Sequence, residues 1–367
     1  MQSMILQRSQ ALREGMNLAR LFELICDWGD RKAAYWLEGD AEHSLSFAEY
    51  RDMTYRYADY LTRRLGATRR GAFVGISMDT CKEWFPTFWG LIAAGYNALL
   101  LDASLSDEMT AYLLRQAGAV GLVTARKRAL PGDVTQMTTQ ELFACPACDS
   151  FTPAYADSVA LCTSGTTATS RIFVYKGEAI CEQVLSSELI YRANRRVVDD
   201  IPRKTLAFLP FHHVLGFIAN LLWIGFIGYG VIYLKDRTPQ SITSLAQRFR
   251  MNTLLAVPLL ANNLCAGLQK KLAKQSRFKR GMFQAMKGVS LGVQSIAPSF
   301  GLWLARNVLF ASVTSQLLGT SVDTVILGGS HTPSEHLRTL NALGYYTVCG
   351  FGMTETAVTS LELSMSL

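Results

Sequence analysis

Charge is scarce in this chain of 367 residues: Asp, Glu, Lys and Arg make up 18% of it, against 49% apolar residues. So apolar a composition excludes a disordered chain and supplies enough material for large buried cores. The length exceeds one compact domain, and two sub-domains of roughly 150 residues each are expected. Paired cysteines are also lacking. Eight are scattered along the chain, and only Cys145 and Cys148 are close, with no second pair to complete a zinc site. These two read as reduced thiols in a linker, with a redox pair as the sharper alternative. The N-terminus carries Arg8, Arg13 and Glu14 where a signal peptide needs an apolar core, so a cytoplasmic location is expected. No basic stripe is interleaved with aromatics, and the excess of 36 basic over 29 acidic residues is mild. Nucleic acid is therefore not an expected partner, whereas an anionic small molecule is. Internal repeats and low-complexity tracts are absent.

What is present begins with one uncharged run, Val214 to Leu234, long enough to span a bilayer. Gly225, Gly228 and Gly230 punctuate it, which fits a buried helix followed by a buried strand and leaves membrane association at most peripheral. Elsewhere strand and helix patterns alternate. Ser46 and Glu49 form a capping box, after which Tyr50, Met53, Tyr57, Leu61 and Leu65 make one helical face closed by Gly66. Phe73 to Met78 reads as a strand, Thr80 to Ala94 as a helix, and Asn97 to Leu101 as a strand. A helix over Asp107 to Ala117, capped by Ser106, and a strand over Val120 to Thr124 follow. Residues 126–156 read as loop and surface. Strands are then expected near Val159, Leu206, Val231, Leu254, Val325 and Tyr346. The fold class is α/β, with two packed doubly wound, mostly parallel sheets and flanking helices. The expected division is 1–60 as a helical part packing on the second sub-domain, 61–203 as the first α/β sub-domain, and 204–367 as the second. Gln269 to Arg280, rich in Lys and Arg, reads as the solvated face of a helix, with docking of an anionic carrier or a membrane surface as the alternative.

The strongest chemical signal is Thr163-Ser164-Gly165-Thr166-Thr167 after the apolar strand Val159 to Cys162. A glycine among four hydroxyls at a strand end offers backbone N–H groups and short donors that converge on an anion such as a polyphosphate. Arg171 would add a fixed positive charge. The stretch is not a Walker loop, and an ordinary polar turn remains the alternative. No Ser or Cys triad signature appears.

This stretch resembles the phosphate loop of the adenylate-forming superfamily of acyl-CoA synthetases, luciferases and peptide-synthetase adenylation domains. The signature continues with glycine, any residue, proline and lysine, where this chain has Ala168, Thr169, Ser170 and Arg171, so Ala168, Ser170 and Arg171 depart from it. Further matches occur in family order. Leu45 to Tyr50 resembles the early helix-starting motif, and Phe73 to Thr124 the segment that builds the first sheet. Leu209-Pro210-Phe211-His212-His213-Val214-Leu215-Gly216 resembles the histidine motif. Gly328-Gly329-Ser330 resembles the turn against adenine, and Gly350-Phe351-Gly352-Met353-Thr354-Glu355 the final motif, with Phe where Tyr is usual.

The resemblance implies an N-terminal adenylate-forming domain, closest to fatty-acyl ligases, with ATP, Mg²⁺ and CoA or a carrier-protein phosphopantetheine. His213, Arg171 and Thr354 take catalytic roles in it. The nucleotide is held by Thr163, Ser164, Gly165, Thr166, Thr167, Gly328, Gly329, Ser330, Phe351, Gly352, Met353 and Thr354, and Mg²⁺ by Glu355 with Thr163. The partners implied are a small carboxylate, ATP and an acyl carrier protein. The chain ends twelve residues after Glu355, short of the β-barrel, ribose aspartate, hinge and lysine-bearing C-terminal domain of the family. A fragment with an uncovered apolar surface, inclined to dimerise, is expected. A non-catalytic binding module using the same cleft, or a membrane-associated interaction protein, are the other readings.

Overall fold

The structure, a computed structural model, describes residues 3–130, 132–148, 150–163 and 171–364. It forms two compact units: Met1–Leu189 with Pro210–Tyr233 and Thr354–Ala357, and Ile190–Leu209 with Leu234–Met353 and Val358–Leu367. This differs from the division expected at 60 and 203. The first 60 residues have no unit of their own, because the helix Phe47–Leu65 packs along the helix Trp84–Ala94 of the same unit.

In the first unit, β1 (Lys32–Glu38) pairs antiparallel with β2 (Ala41–Ser46) and parallel with β10 (Gly230–Ile232). A six-stranded sheet contains β3 (Phe73–Ser77), β4 (Asn97–Leu100), β5 (Gly121–Thr124), β6 (Thr135–Thr138), β7 (Ser158–Cys162) and β8 (Ile172–Lys176). Its order is β6-β5-β3-β4-β7-β8, parallel throughout except for the antiparallel β7–β8 pair. Helices cover its faces, as their apolar stripes require. Leu99, Leu101, Leu113, Leu114, Leu122 and Ala160 form one of its cores.

Local chemistry explains the element ends. The Glu49 amide donates to Ser46 Oγ at 3.1 Å and the Ser46 amide to Glu49 Oε2 at 2.6 Å, the reciprocal box expected from the sequence. Gly66, at φ 83°, ends that helix in a conformation costly for any residue with a Cβ. The helix expected from Thr80 begins only at Trp84, because the Thr80 hydroxyl serves a loop, accepting from the Phe211 amide at 3.3 Å. From Trp84 on, every residue is buried, which explains its all-apolar sequence.

The second unit carries β9 (Lys204–Leu206), β11 (Thr253–Ala256), β12 (Thr324–Gly328) and β13 (Tyr346–Met353), parallel in that spatial order, with β14 (Ala357–Leu361) beyond β13. The two mostly parallel sheets with flanking helices are those expected. Between Val214 and Leu234 lie a wide-turned π-helix, Gly216–Trp223, a short helix, Ile224–Phe226, and β10, nearly all of them buried. Among the described residues no helix is long and apolar enough to cross a membrane. Residues 126–156, read as loop, contain β6 and the capped helix Thr139–Phe143.

Gly90 marks the closest approach of the two packed helices. A Cβ there would lie 3.0 Å from Tyr57 Cβ and 3.3 Å from the Thr54 carbonyl. Gly90→Val is therefore expected to cost about 1–3 kcal/mol by overpacking, seen as a lowered Tm in a thermal melt, while an unchanged Tm would show that the helices separate freely.

Candidate functional site

Four polar residues of the first unit follow the carboxyl ends of parallel strands: Thr80 after β3, Asp102 after β4, Arg128 after β5 and Thr163 after β7. β4 lies on one side of β3 and β5 on the other, so the sheet reverses direction there. Open α/β sheets bind ligands outside such an edge.

Thr163 and Arg171 close the candidate phosphate turn. The Thr163 amide donates to the Arg171 carbonyl at 3.0 Å, and the Arg171 amide donates to Thr163 Oγ1 at 3.0 Å. Ser164, Gly165, Thr166 and Thr167, with Ala168, Thr169 and Ser170, lie outside the described residues. From Arg171, β8 runs four residues, roughly 13 Å, to Tyr175. The Tyr175 hydroxyl donates to the Thr354 carbonyl at 2.6 Å. Burial pushes the Tyr175 phenol up, against a hydrogen bond from the Ala357 backbone and with the nearby Glu355 carboxylate, which keeps its proton in this bond. Glu355 is exposed in the turn between β13 and β14, so it does not begin a helix.

His213 is half-buried within a cluster with His212 and Asp102. The Asp102 Oδ1 atom accepts from the Ser104 amide at 2.8 Å and the Ser104 hydroxyl at 2.7 Å, which leaves Oδ2 3.5 Å from His212 Nε2. The His212 and His213 ring centroids are 4.4 Å apart. Burial lowers the His213 pKa below 6.5, and Asp102 opposes this. Burial pushes the Asp102 carboxyl up, but the Ser104 bonds and the two imidazoles hold it below its usual range. The donor atoms of the three residues lie within 4.8 Å of one another. Two imidazoles suit a zinc-like ion better than Mg²⁺. Glu355 and Thr163 carry oxygen donors of the kind a hard cation takes and belong to the same unit.

Arg128 fixes the loop that presents Asp102. Its buried guanidinium donates to the Leu105 carbonyl at 2.7 Å, the Ala103 carbonyl at 2.8 Å, Thr110 Oγ1 at 3.1 Å and Ser77 Oγ at 3.2 Å, and it pairs with Asp107 at 3.3 Å.

The second unit holds the remaining candidates. Gly328 on β12 is paired with Gly350 on β13. Beyond them, Gly329, Ser330, Phe351 and Gly352 line a pocket of about 600 Å³, completed by Thr332 and Ser360 among others. Phe351 is 60% exposed beside this pocket, a ring face free to stack, and Met353 ends β13. Thr163, Arg171, His213, Thr354 and Glu355 thus belong to the first unit, and Gly328, Gly329, Ser330, Phe351, Gly352 and Met353 to the second.

The family profile of AMP-binding enzymes matches residues 25–366. The chain belongs to this family. Three solved structures similar to this member of the AMP-binding family share its fold. One is a nonribosomal peptide synthetase, FmoA3, in an AMPPNP-bound form, 18% identical with a TM-score of 0.67 over 95% of this chain. The matched part is 32% of the FmoA3 chain, so the present chain spans about a third of that relative. The N-terminal domain of FACL13 from Mycobacterium tuberculosis is 17% identical, TM-score 0.67, covering 95% of this chain and 79% of that domain. The o-succinylbenzoate CoA synthetase MenE from Bacillus subtilis, in complex with its acyl-adenylate OSB-AMP, is 18% identical, TM-score 0.65, covering 92% and 59%. Compared by sequence with curated proteins, the chain has no significant match.

Two outcomes test how this candidate site is built. Arg128→Ala leaves buried carbonyls and Asp107 without their cation and is expected to cost roughly 3–5 kcal/mol, measured by urea denaturation. His213, with its folded pKa below 6.5, is neutral at pH 7 in folded and unfolded chains. Below about pH 6.5 the unfolded chain takes up the proton first, so stability falls toward acid until the folded pKa is passed. His213→Asn should therefore reduce the loss of stability between pH 7 and 5, and an unchanged loss would place the titration elsewhere.

Proposed function

We propose that this chain binds ATP and a carboxylic acid and joins them as an acyl adenylate, releasing pyrophosphate. The observation that carries the reading is the bond from Tyr175 to the Thr354 carbonyl, because it ties the Thr354–Glu355 turn to the strand that leaves the Thr163–Arg171 turn. Two segments 179 residues apart in sequence thereby fall into one unit, as a polyphosphate site needs.

In the reaction, a carboxylate oxygen attacks the α-phosphorus of ATP. The new P–O bond forms as the bond from that phosphorus to the bridging oxygen breaks, and pyrophosphate leaves with the electron pair. Both reactants are anions, so the chain's first task is to offset their repulsion. The Thr163 hydroxyl and the amides of its turn would bind phosphate oxygens, and the exposed Arg171 guanidinium would pair with the leaving group. Mg²⁺, held by Glu355 with Thr163, would neutralise the charge developing on the phosphates. The pocket beside Gly329 and Phe351 would take adenine, and neutral His213, steered by the Asp102–His212 pair, would donate to the incoming carboxylate. No protein nucleophile is required.

The acid is proposed to be a fatty acid, on the resemblance of Lys270 to Ser315 to fatty-acyl ligases, and the acceptor the thiol of CoA or of a carrier pantetheine. Three loop positions, Ala168, Ser170 and Arg171, depart from the family signature and support the second reading, nucleotide binding without turnover.

ATP–pyrophosphate exchange across a panel of fatty, aryl and amino acids decides between them. Exchange with a fatty acid is expected, reduced about 100-fold or more in Glu355→Gln, the equivalent of roughly 3 kcal/mol. ATP binding by calorimetry with no exchange for any acid, even with the family's lysine-bearing C-terminal domain supplied, would establish the binding module instead.

A further inference from the structure

Acidic residues are unevenly distributed. From Arg237 to Val322 there is no Asp or Glu, while eleven Lys or Arg occur. Outside this stretch the remaining 25 basic residues are outnumbered by all 29 acidic ones, so the whole positive excess of the chain resides here. The stretch lies within the second unit. Six of its cations, Lys270, Lys271, Lys274, Arg277, Lys279 and Arg280, are exposed around the junction of the helices Pro258–Ala273 and Arg277–Ile296.

The helix Arg277–Ile296 has its polarity reversed. At 100° per residue, Phe278, Met282, Ala285, Val289, Gly292 and Ile296 fall on one face, and all six are exposed. Phe278 is 80% exposed and Ile296 87%. The inward face is Phe283, Ser290 and Gln294, held by polar bonds: Ser290 Oγ donates to the Ala342 carbonyl at 2.8 Å and Gln294 Nε2 to the Asn341 carbonyl at 2.9 Å. A water-facing helix turns its apolar face inward; this one turns it outward over about 27 Å. The next helix, Pro298–Leu304, continues the apolar surface with Phe300 stacked on Trp303 at 6.0 Å, Trp303 being 51% exposed. Beside the helix lies an apolar groove of about 990 Å³, lined by Leu268, Leu272, Met282 and Phe310 and bordered by Lys271 and Lys279.

We propose that this face of the second unit docks on an anionic lipid bilayer, with the Phe278–Ile296 stripe and Trp303 at the acyl boundary and the lysines and arginines among the headgroups. The two features together select a bilayer. An acidic protein would complement the cations alone and leave the uncharged stripe in water, whereas an interface of anionic headgroups over hydrocarbon satisfies both, and exposed Phe and Trp flanked by Lys and Arg are what such an interface favours. The docking is peripheral, since no described helix is long and apolar enough to cross a membrane.

Co-sedimentation with vesicles of phosphatidylcholine and phosphatidylglycerol (7:3), against pure phosphatidylcholine, tests this at low and high salt. Binding to the anionic vesicles is expected, at least tenfold weaker on neutral ones and falling with salt by roughly fivefold for each lysine or arginine whose attraction to the headgroups is screened. The double variant Phe278→Asp, Ile296→Asp should lose at least tenfold in vesicle binding at unchanged Tm, both sites being open to solvent. Trp303→Phe should remove quenching of protein fluorescence by brominated lipid without preventing binding. Failure to bind, equal binding by the double variant, or capture by a soluble acidic carrier protein with vesicles ignored would overturn the proposal. So would a dimer in solution that the double variant splits while neither form binds lipid. None of these readouts depends on adenylate formation.

Discussion

The parallel register of β3, β4, β5 and β7 is the constraint on which the first unit's chemistry rests. Parallel strands end their carbonyl sides at one edge, so their following loops meet there whatever their distance in sequence. Ala98 faces Val159 and Val74 faces both Ala98 and Gly121, which brings Asp102, Arg128 and Thr163 to a common edge from three separate loops. Arg128 then couples two of those loops by binding the carbonyls on either side of Ser104. The single antiparallel partner, β8, does something the parallel strands cannot. Running antiparallel to β7, it carries Tyr175 to the Thr354 carbonyl and so makes a long-range tie.

Much of this was legible in the sequence because it is written in local patterns. The capping box at Ser46 and Glu49, the stop at Gly66 and the buried strands near Val159, Leu254, Val325 and Tyr346 depend on neighbours within a few residues, and each appears where the pattern put it. The glycine-punctuated run after Val214 was likewise readable as helix then strand. What could not be read depended on partners distant in the chain. β6 has a sequence, Thr-Gln-Met-Thr, too polar to announce a strand, and only its pairing with β5 makes it one. The edge strand β8 alternates weakly, because an edge needs only one good face. At the site, the motifs singled out Thr163, His213 and Glu355, but not the residues that hold them. Asp102 carried a faint signal, an Asp two residues before a Ser at a strand end, which is an Asx turn. Arg128 and Tyr175 carried none, since the loop carbonyls and hydroxyls that the Arg128 guanidinium binds at Ser77, Ala103, Leu105 and Thr110 lie 18 to 51 residues away, and the partner of the Tyr175 hydroxyl 179.

Burial and chemistry pull on these groups in opposite directions, and the outcome differs with each group's partners. Asp102 is partly buried, which favours its neutral form, yet two hydrogen bonds from Ser104 and two adjacent imidazoles keep it ionised. His213 has only a through-space carboxylate against the same penalty, and burial prevails. A charged aspartate beside a neutral, polarised imidazole is the combination that lets a histidine offer an N–H to an arriving anion without a full positive charge to desolvate. In the proposed reaction the cation for the phosphates would instead be Arg171, which is exposed and so meets no desolvation cost.

The second unit shows a different resolution of the same conflict. A 20-residue helix with a continuous apolar stripe could have buried that stripe, and sequence periodicity alone would place it inward. Ser290 and Gln294 oppose this, because rotating the helix would break the bonds their side chains make to the Ala342 and Asn341 carbonyls, each worth about 0.5–1.5 kcal/mol net. The apolar face is therefore fixed outward by polar bonds made inward. An outward face of Phe278, Met282, Val289 and Ile296 is a standing liability for a chain surrounded by water. The absence of any carboxylate across the surrounding stretch makes that liability intelligible. Near anionic lipid, acidic side chains would repel the surface that the apolar face needs to reach, so sparing them and exposing the stripe serve the same end.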